Sequence, residues 1–141
     1  MKPLKTPHKI LIGFLLAAGI WFGFNRPGRV GLHFYGFTVY SGLPIPNSDL
    51  LVHGDGSFVL REDKSHDLPI FEFEQFVNTG KRRPDIVVIG KGYKNQLKVP
   101  RIIMESQTPE VEALNSKEAV RRFNELRGQR KKVALILHST C

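Results

Sequence analysis

Pro84-Asp85-Ile86-Val87-Val88-Ile89-Gly90-Lys91-Gly92 opens the stretch that decides the fold, with Asn115-Ser116-Lys117-Glu118 and Val133-Ala134-Leu135-Ile136-Leu137 completing it. Residues 85–89 are β-branched after the first, too short a run for a buried helix, and closed by a glycine turn, so they read as a strand covered on both faces. Asn115 stands three residues before Glu118, the spacing at which a side-chain cap and a returning carboxylate satisfy the free amides of a helix start. That predicts a helix over residues 116–127. Ala119, Val120, Phe123 and Leu126 share one face, while Glu118 with Arg122, and Arg121 with Glu125, lie four apart on the solvated side. Gly128 is expected to supply a left-handed stop. Residues 133–137 then form a second buried strand, paired with the first through the crossover.

Working outward, residues 30–60 read as antiparallel strands. Val30, Leu32 and Phe34 alternate with Gly31, His33 and Tyr35, and the phase changes at Gly36, which marks a bulge or turn. Residues 42–47, with Pro44 and Pro46, are expected to be a connection, because two prolines in three residues deny a central strand its donors. The apolar runs 50–52 and 58–60 flank Gly54-Asp55-Gly56, a hairpin signal. Residues 62–68 are charged and loop-like. A short helix is expected over 70–78, with Phe73, Phe76 and Val77 on one side and Gly80 after it.

The order Pro-Asp-Ile-Val-Val-Ile-Gly-x-Gly, then Val111-Glu112-Ala113-Leu114, then Ala119 and Phe123-Asn124-Glu125-Leu126, then a basic turn and Val133-Ala134-Leu135-Ile136, resembles the MTH-type domain family. That family has largely unknown biochemical function, and its members include an adipogenesis-associated mammalian protein and assembly factor 3 of mitochondrial NADH dehydrogenase. The resemblance covers residues 30–137. It implies a three-layer α/β fold with an N-terminal antiparallel β-ribbon and a mixed central sheet, and a role beside a membrane (respiratory) complex. Where the family usually has Gly-Thr-Gly and Asp-Thr, this chain has Gly90-Lys91-Gly92 and Asn115-Ser116, which keep the turn and the cap.

Residues 10–24 carry no charge and are preceded by Lys2, Lys5 and Lys9 and followed by Arg26 and Arg29. A bilayer core takes about 20 apolar residues and tolerates roughly 17, so this run is short for a span. As a single transmembrane anchor it presents Ile10, Leu15 and Leu16 to lipid, with Trp21 and Phe22 at an interface and lysines able to snorkel. As a cleaved signal it has the basic start and the small residues Ala17-Ala18-Gly19, but the apolar run continues past them. As a buried globular helix it is burdened by Gly13, Gly19 and Gly23 and lacks a polar face. The expected organisation is a basic flank over 1–9, an anchor over 10–24, a linker over 25–29 containing Pro27-Gly28, and one α/β domain over 30–141.

Composition limits the chemistry. Of 21 Lys and Arg residues, three precede Phe24, leaving 18 against 13 Asp and Glu in the domain, a balance that concerns partners and solubility. The single cysteine, Cys141, provides neither a disulfide framework nor a redox pair. His8, His33, His53, His66 and His138 show no metal-ligand spacing, so no metal is expected and hydrogen-bonded or solvated roles are preferred. No nucleophile elbow occurs, and no catalytic residue or cofactor is assigned. Gly90-Lys91-Gly92 lacks the third glycine of a dinucleotide fingerprint, where Asn95 stands, and a helix start directly behind it, so a plain strand-ending turn is preferred to a phosphate cradle.

Basic residues cluster at 81–83, at Lys91, Lys94, Lys98 and Arg101, and at Arg127, Arg130, Lys131 and Lys132. They read either as solvated turns or as contacts to anionic lipid or an acidic partner. Nucleic acid is not favoured, since no fingerprint of a binding module accompanies the charge. The expectation is a non-catalytic, membrane-tethered interaction or assembly module, single-pass in a bacterial or mitochondrial inner membrane. Lipid would be engaged through the N-terminal segment, and a protein partner through a rim of Lys91, Gly92, Lys94, Asn115, Ser116 and Asn124. The alternative is a small ligand-binding protein or enzyme using a cleft near Gly90 to Gly92 and Asn124. The oligomeric state is left open.

Overall fold

The two apolar runs form adjacent parallel strands at the centre of the protein. The computed structural model describes residues 5–63 and 65–139; Lys2 and Cys141 lie outside them. In chain order the elements are α1 (Thr6–Phe24), β1 (Val30–Phe34), β2 (Phe37–Tyr40), β3 (Leu43–Pro46), β4 (Leu50–Val52), β5 (Phe58–Leu60), α2 (Ile70–Asn78), β6 (Ile86–Gly90), α3 (Arg101–Met104), β7 (Glu110–Leu114), α4 (Ser116–Gly128) and β8 (Val133–Leu137). A three-stranded antiparallel ribbon runs β1-β2-β3, and a five-stranded mixed sheet runs β5-β4-β8-β6-β7. Strand β6 pairs in parallel with both β7 and β8, and β4 pairs antiparallel with β8 and β5.

Strand alternation divides the core into two layers. Val88, Val133, Leu135 and Leu137 point to the side holding α4 and the ribbon, where Val30, Tyr40, Ile45, Ala119, Phe123 and Leu126 pack. Val87, Ile89, Ala134 and Ile136 point to the side of α2 and α3, against Phe73, Phe76, Val77 and Ile103. This is the three-layer MTH-like arrangement. Helix α4 has the expected cap, with Asn115 Oδ1 accepting from the Glu118 amide at 2.9 Å, and the expected buried face.

Three local expectations are corrected. Residues 43–46 are a strand rather than a connection: Pro44 pairs with Val39 and Pro46 with Phe37. The prolines are tolerated because β3 is an edge and needs donors on one side only. Gly128 does not stop α4. Arg130, at φ +60°, takes the left-handed position, with Arg130 N–H bonding Arg127 O and Lys131 N–H bonding Leu126 O, the paired bonds of a Schellman close. Arg122 does not pair with Glu118. It reaches across to β7, where its Nε and Nη2 donate to both Glu112 oxygens at 2.8 and 3.1 Å, and it also meets Glu125 at 3.4 Å.

Helix α1 begins at Thr6, four residues ahead of the uncharged run, and none of its residues is buried. Its 19 residues rise about 28 Å, close to the hydrocarbon thickness of a bilayer. It is long and apolar enough to cross a membrane, a property that a signal sequence shares. Ile10, Leu15, Leu16, Trp21 and Phe22 are all exposed on it.

Candidate functional site

Because β6, β7 and β8 are parallel, their C-terminal ends meet at one edge of the sheet, the edge at which α/β proteins hold ligands and partners. A single hydroxyl ties those ends together. Ser116 Oγ, completely buried at the start of α4, accepts from Gly92 N–H at 2.8 Å and donates to His138 O at 2.6 Å. His138 N–H bonds Gly90 O, and Lys91 N–H bonds Leu114 O, so all three strand ends are cross-linked. Glycine is required at two points. Gly92 sits at φ +93°, and a Cβ on Gly90 would lie 2.7 Å from Leu137 Cδ1 and 3.2 Å from Ala119 Cβ. The glycine turn thus brings α4 onto the sheet. Its Lys91 and Gly92 amides, and that of Ser116, are already used within the protein.

The residues expected at the rim therefore divide. Lys94 is exposed and Lys91 half-buried at the edge, beside the Asn115 cap. Ser116 and Gly92 are interior and structural. Asn124 stands about 12 Å further along α4, where its amide clamps the ribbon: Nδ2 donates to Val30 O at 2.7 Å and Oδ1 accepts from Val30 N–H at 3.0 Å. It shares no cleft with the glycine turn. At the start of α4 a depression open to solvent is lined by Asn115, Lys117, Glu118 and Arg121.

Aromatic neighbours missing from the sequence reading complete the edge. Tyr93, directly after Gly92, stacks on His33 of β1 with ring centres 5.7 Å apart, and Tyr35 approaches it at 6.2 Å. Burial pushes the His33 imidazole below the usual histidine range, and Nδ1 is bonded to Thr38 Oγ1. Nothing local in the sequence links residues 33, 35 and 93. The ribbon brings them together.

Next to this edge lies a buried polar group that the sequence also did not reveal. Asp49 is nearly inaccessible at the start of β4. It accepts from His138 Nδ1 at 2.6 Å and from Ser139 N–H at 3.0 Å, and Arg61 Nη1 lies 3.6 Å away. Arg61 is itself buried, bidentate to Glu72 at 2.6 and 3.1 Å, and donates to the carbonyls of Ser65 and Asp67. Burial opposes the Arg61 charge, but Glu72, Asp49 and Asp63 outweigh it and hold its pKa above the ordinary value. An Asp–His pair of this kind can activate a nucleophile. Here, however, Ser139 Oγ donates to Ser48 O at 2.7 Å, and His138 Nε2 ends in the interior with no hydrogen-bond partner among the described residues, its ring edge-on to His66 at 5.2 Å. The group joins β4, β8, the 61–67 segment and α2. Among the described residues no cluster of His, Cys, Asp and Glu is arranged to hold a metal.

Helix α1 is built into the ribbon. Trp21 Nε1 donates to Gly42 O at 3.0 Å, and Asn25, itself buried, donates from Nδ2 to Trp21 O and accepts the Leu32 amide. The fold and this edge define an MTH-type α/β domain carrying an N-terminal apolar helix. The chain belongs to the protein family of unknown function DUF498/DUF598, whose model matches residues 30–138. Among solved structures it is similar to MT938 at 28% identity, with a TM-score of 0.65 over 80% of this chain and 98% of that one. It is also similar to the conserved hypothetical protein PH1505 from Pyrococcus horikoshii OT3, at 23% identity and TM-score 0.66 over 80% and 99%. A protein described as an outer membrane protein from Bartonella henselae shares the fold at 16% identity and TM-score 0.65, over 82% and 98% of the two chains. No curated protein matches the chain.

Proposed function

We propose that this protein is a membrane-tethered interaction module without catalysis of its own, which holds an acidic protein partner at the bilayer through the Lys91–Lys94 edge. The observation that carries this reading is α1: an apolar helix with no buried residue whose C-terminal end is bonded into the domain through Trp21 and Asn25. Cutting after Gly19 would leave Trp21 and Asn25 with their bonds but would strand Ile20, Phe22 and Phe24 as an exposed apolar stub on the domain. The uncleaved helix carries that run into lipid, which supports the anchor over a cleaved signal. Apolar burial in lipid supplies the compensation that the protein interior does not. The edge also supports binding over chemistry, because Ser116 Oγ and the Lys91 and Gly92 amides are engaged in holding the strand ends together, while Lys94, Tyr93 and Tyr35 are exposed beside the half-buried Lys91. The likeness to an assembly factor of a respiratory complex motivates a complex of the bacterial or mitochondrial inner membrane as the partner class.

The test has two arms. The full-length protein is expected to stay with membranes through high-salt and carbonate washing, since anchoring by apolar burial is insensitive to charge screening. Release into the wash, or a mature N-terminus near Ile20, overturns the anchor. Co-purification from solubilised membranes is then compared for the wild type and Lys91→Glu/Lys94→Glu. Loss of a partner at unchanged thermal stability is expected, and identical partner sets reject the edge.

A further inference from the structure

We infer that the outer face of the three-stranded ribbon is a second membrane contact, lying flat on an anionic bilayer beside the point where α1 leaves it; this rests on the reading of α1 as an anchor. The ribbon has two unlike faces. Val30, Thr38, Tyr40 and Ile45 face the core and are buried. The pairings Phe34 with Phe37 and Phe37 with Pro46 put those residues on the other face, together with Leu32, whose neighbour His33 pairs with the inward Thr38. On that face Leu32 is 50% and Phe34 54% exposed, while Phe37 is half-buried and Val39, between the inward Thr38 and Tyr40, is fully buried, so the apolar surface turned outward is its β1 side. A strand face turned to water normally carries polar residues at such positions, and this one does not.

The apolar face is continuous with the helix. One groove is lined jointly by Ala17, Ile20, Trp21 and Phe24 of α1 and by Gly31 and Leu32 of the ribbon. The bonds from Trp21 to Gly42 and from Asn25 to Leu32 fix the ribbon relative to the helix axis. If Trp21, Phe22 and Phe24 mark the interface, as aromatics at the end of a span do, the ribbon is held at the same depth.

Charge at this end matches an anionic surface. Arg26 is exposed, and the Arg29 guanidinium lies 3.3 Å from where a Cβ on Gly128 would sit. That places the exposed turn of Arg130, Lys131 and Lys132 near the exit of α1. Juxtamembrane basic residues are attracted to anionic headgroups, whereas apolar side chains in the interface hold regardless of salt. The basic cluster after α4 and the exposed ribbon face thereby acquire one explanation.

The experiment uses the full chain carrying Cys141→Ser, reconstituted into vesicles of phosphatidylcholine and phosphatidylglycerol. An environment-sensitive fluorophore is attached through Phe34→Cys or Leu32→Cys, with Phe71→Cys on α2, 70% exposed, as the comparison site. Emission from positions 34 and 32 is expected to shift to the blue and to be quenched by nitroxide lipids, while position 71 does neither. Lys131→Glu/Lys132→Glu is expected to reduce the quenching at position 34 without releasing the chain from the vesicles. Labels at 32 and 34 that stay as wet as the label at 71, in a chain that floats with the vesicles, overturn the ribbon contact and leave the anchor standing. A chain that does not float overturns the anchor, and the ribbon contact with it.

Discussion

Replacing Ser116 by alanine removes one oxygen atom and unties three strand ends. In the native protein that oxygen serves Gly92 N–H at 2.8 Å and His138 O at 2.6 Å, at a position with no solvent access. Alanine is a good helix former, so α4 itself should not suffer, and the loss measures the tie. A buried group left without a partner costs about 1–3 kcal/mol. With a donor and an acceptor both orphaned, Ser116→Ala should lose about 2–5 kcal/mol, a large part of the roughly 5–15 kcal/mol of a typical domain. At about 4 °C per kcal/mol for a domain of this size, Tm should fall by roughly 8–20 °C. Thermal and urea unfolding of the full-length protein in detergent, followed by circular dichroism, measures this. The neighbouring exposed Lys117→Ala should stay within about 0.5 kcal/mol. A Ser116→Ala loss below about 1 kcal/mol would refute the argument, because it would mean that the backbone bonds alone hold the edge.

Phe123, fully buried on α4, should cost about 3–5 kcal/mol as Phe123→Ala; Arg122→Ala should cost much less but show coupling to Glu112→Gln in a double-mutant cycle, and equal effects at 122 and 123 would place the helix in the wrong phase. Gly90→Val, inserted against Leu137 and Ala119, should lose about 1–3 kcal/mol by overpacking, and a neutral result in the same unfolding assay would contradict the close approach of α4. The Asp55 carboxyl is held down to about 2 by the Ser57 hydroxyl and the Lys81 and Ser57 amides. Its lowered folded pKa means that its contribution is present above the unfolded value of 3.8 and is lost as pH falls towards about 2. Acid titration should therefore show a steeper loss in that window for the wild type than for Asp55→Asn, and superimposable curves would remove Asp55 from the acid limb.

What could be read from the sequence was whatever is encoded locally. The β-branched run of β6, the Asn115 cap and the apolar face of α4 each declare themselves within a dozen residues, and each stands where the spacing put it. The reading of residues 43–46 failed because proline forbids a strand only when both sides must donate, and edge position is a property of the whole sheet. The stop of α4 moved from Gly128 to Arg130 because the closing hydrogen bonds, not the residue type, select the left-handed position. The Asp49–His138 pair spans 89 residues, beyond any spacing rule. A trace of it exists all the same: each is a polar residue set flush against a wholly apolar strand, and the pairing of Leu50 with Leu137 makes them neighbours. Of the expected rim, Lys91 and Lys94 lie at the edge, while Ser116 and Asn124 have hydrogen-bonding capacity committed inside the protein, which a sequence cannot disclose.

The order of the five-stranded sheet, β5-β4-β8-β6-β7, has a consequence for how the molecule comes into being. Its middle strand, β8, is the last of the described strands to be synthesised. Until residues 133–137 exist, the β4–β5 hairpin and the β6–β7 pair have no edge in common, and the Val30 clamp waits for Asn124, 94 residues downstream. At roughly 5–20 residues per second, α1 leaves the ribosome seconds before the strand that unites the sheet. Pairings of such long sequence separation are slow to close, so during that interval the apolar strands of the nascent domain lack the partner that buries them in the native sheet. A chain already delivered to a bilayer by its first helix would pass through this vulnerable state confined to a surface, away from the bulk encounters that lead to aggregation.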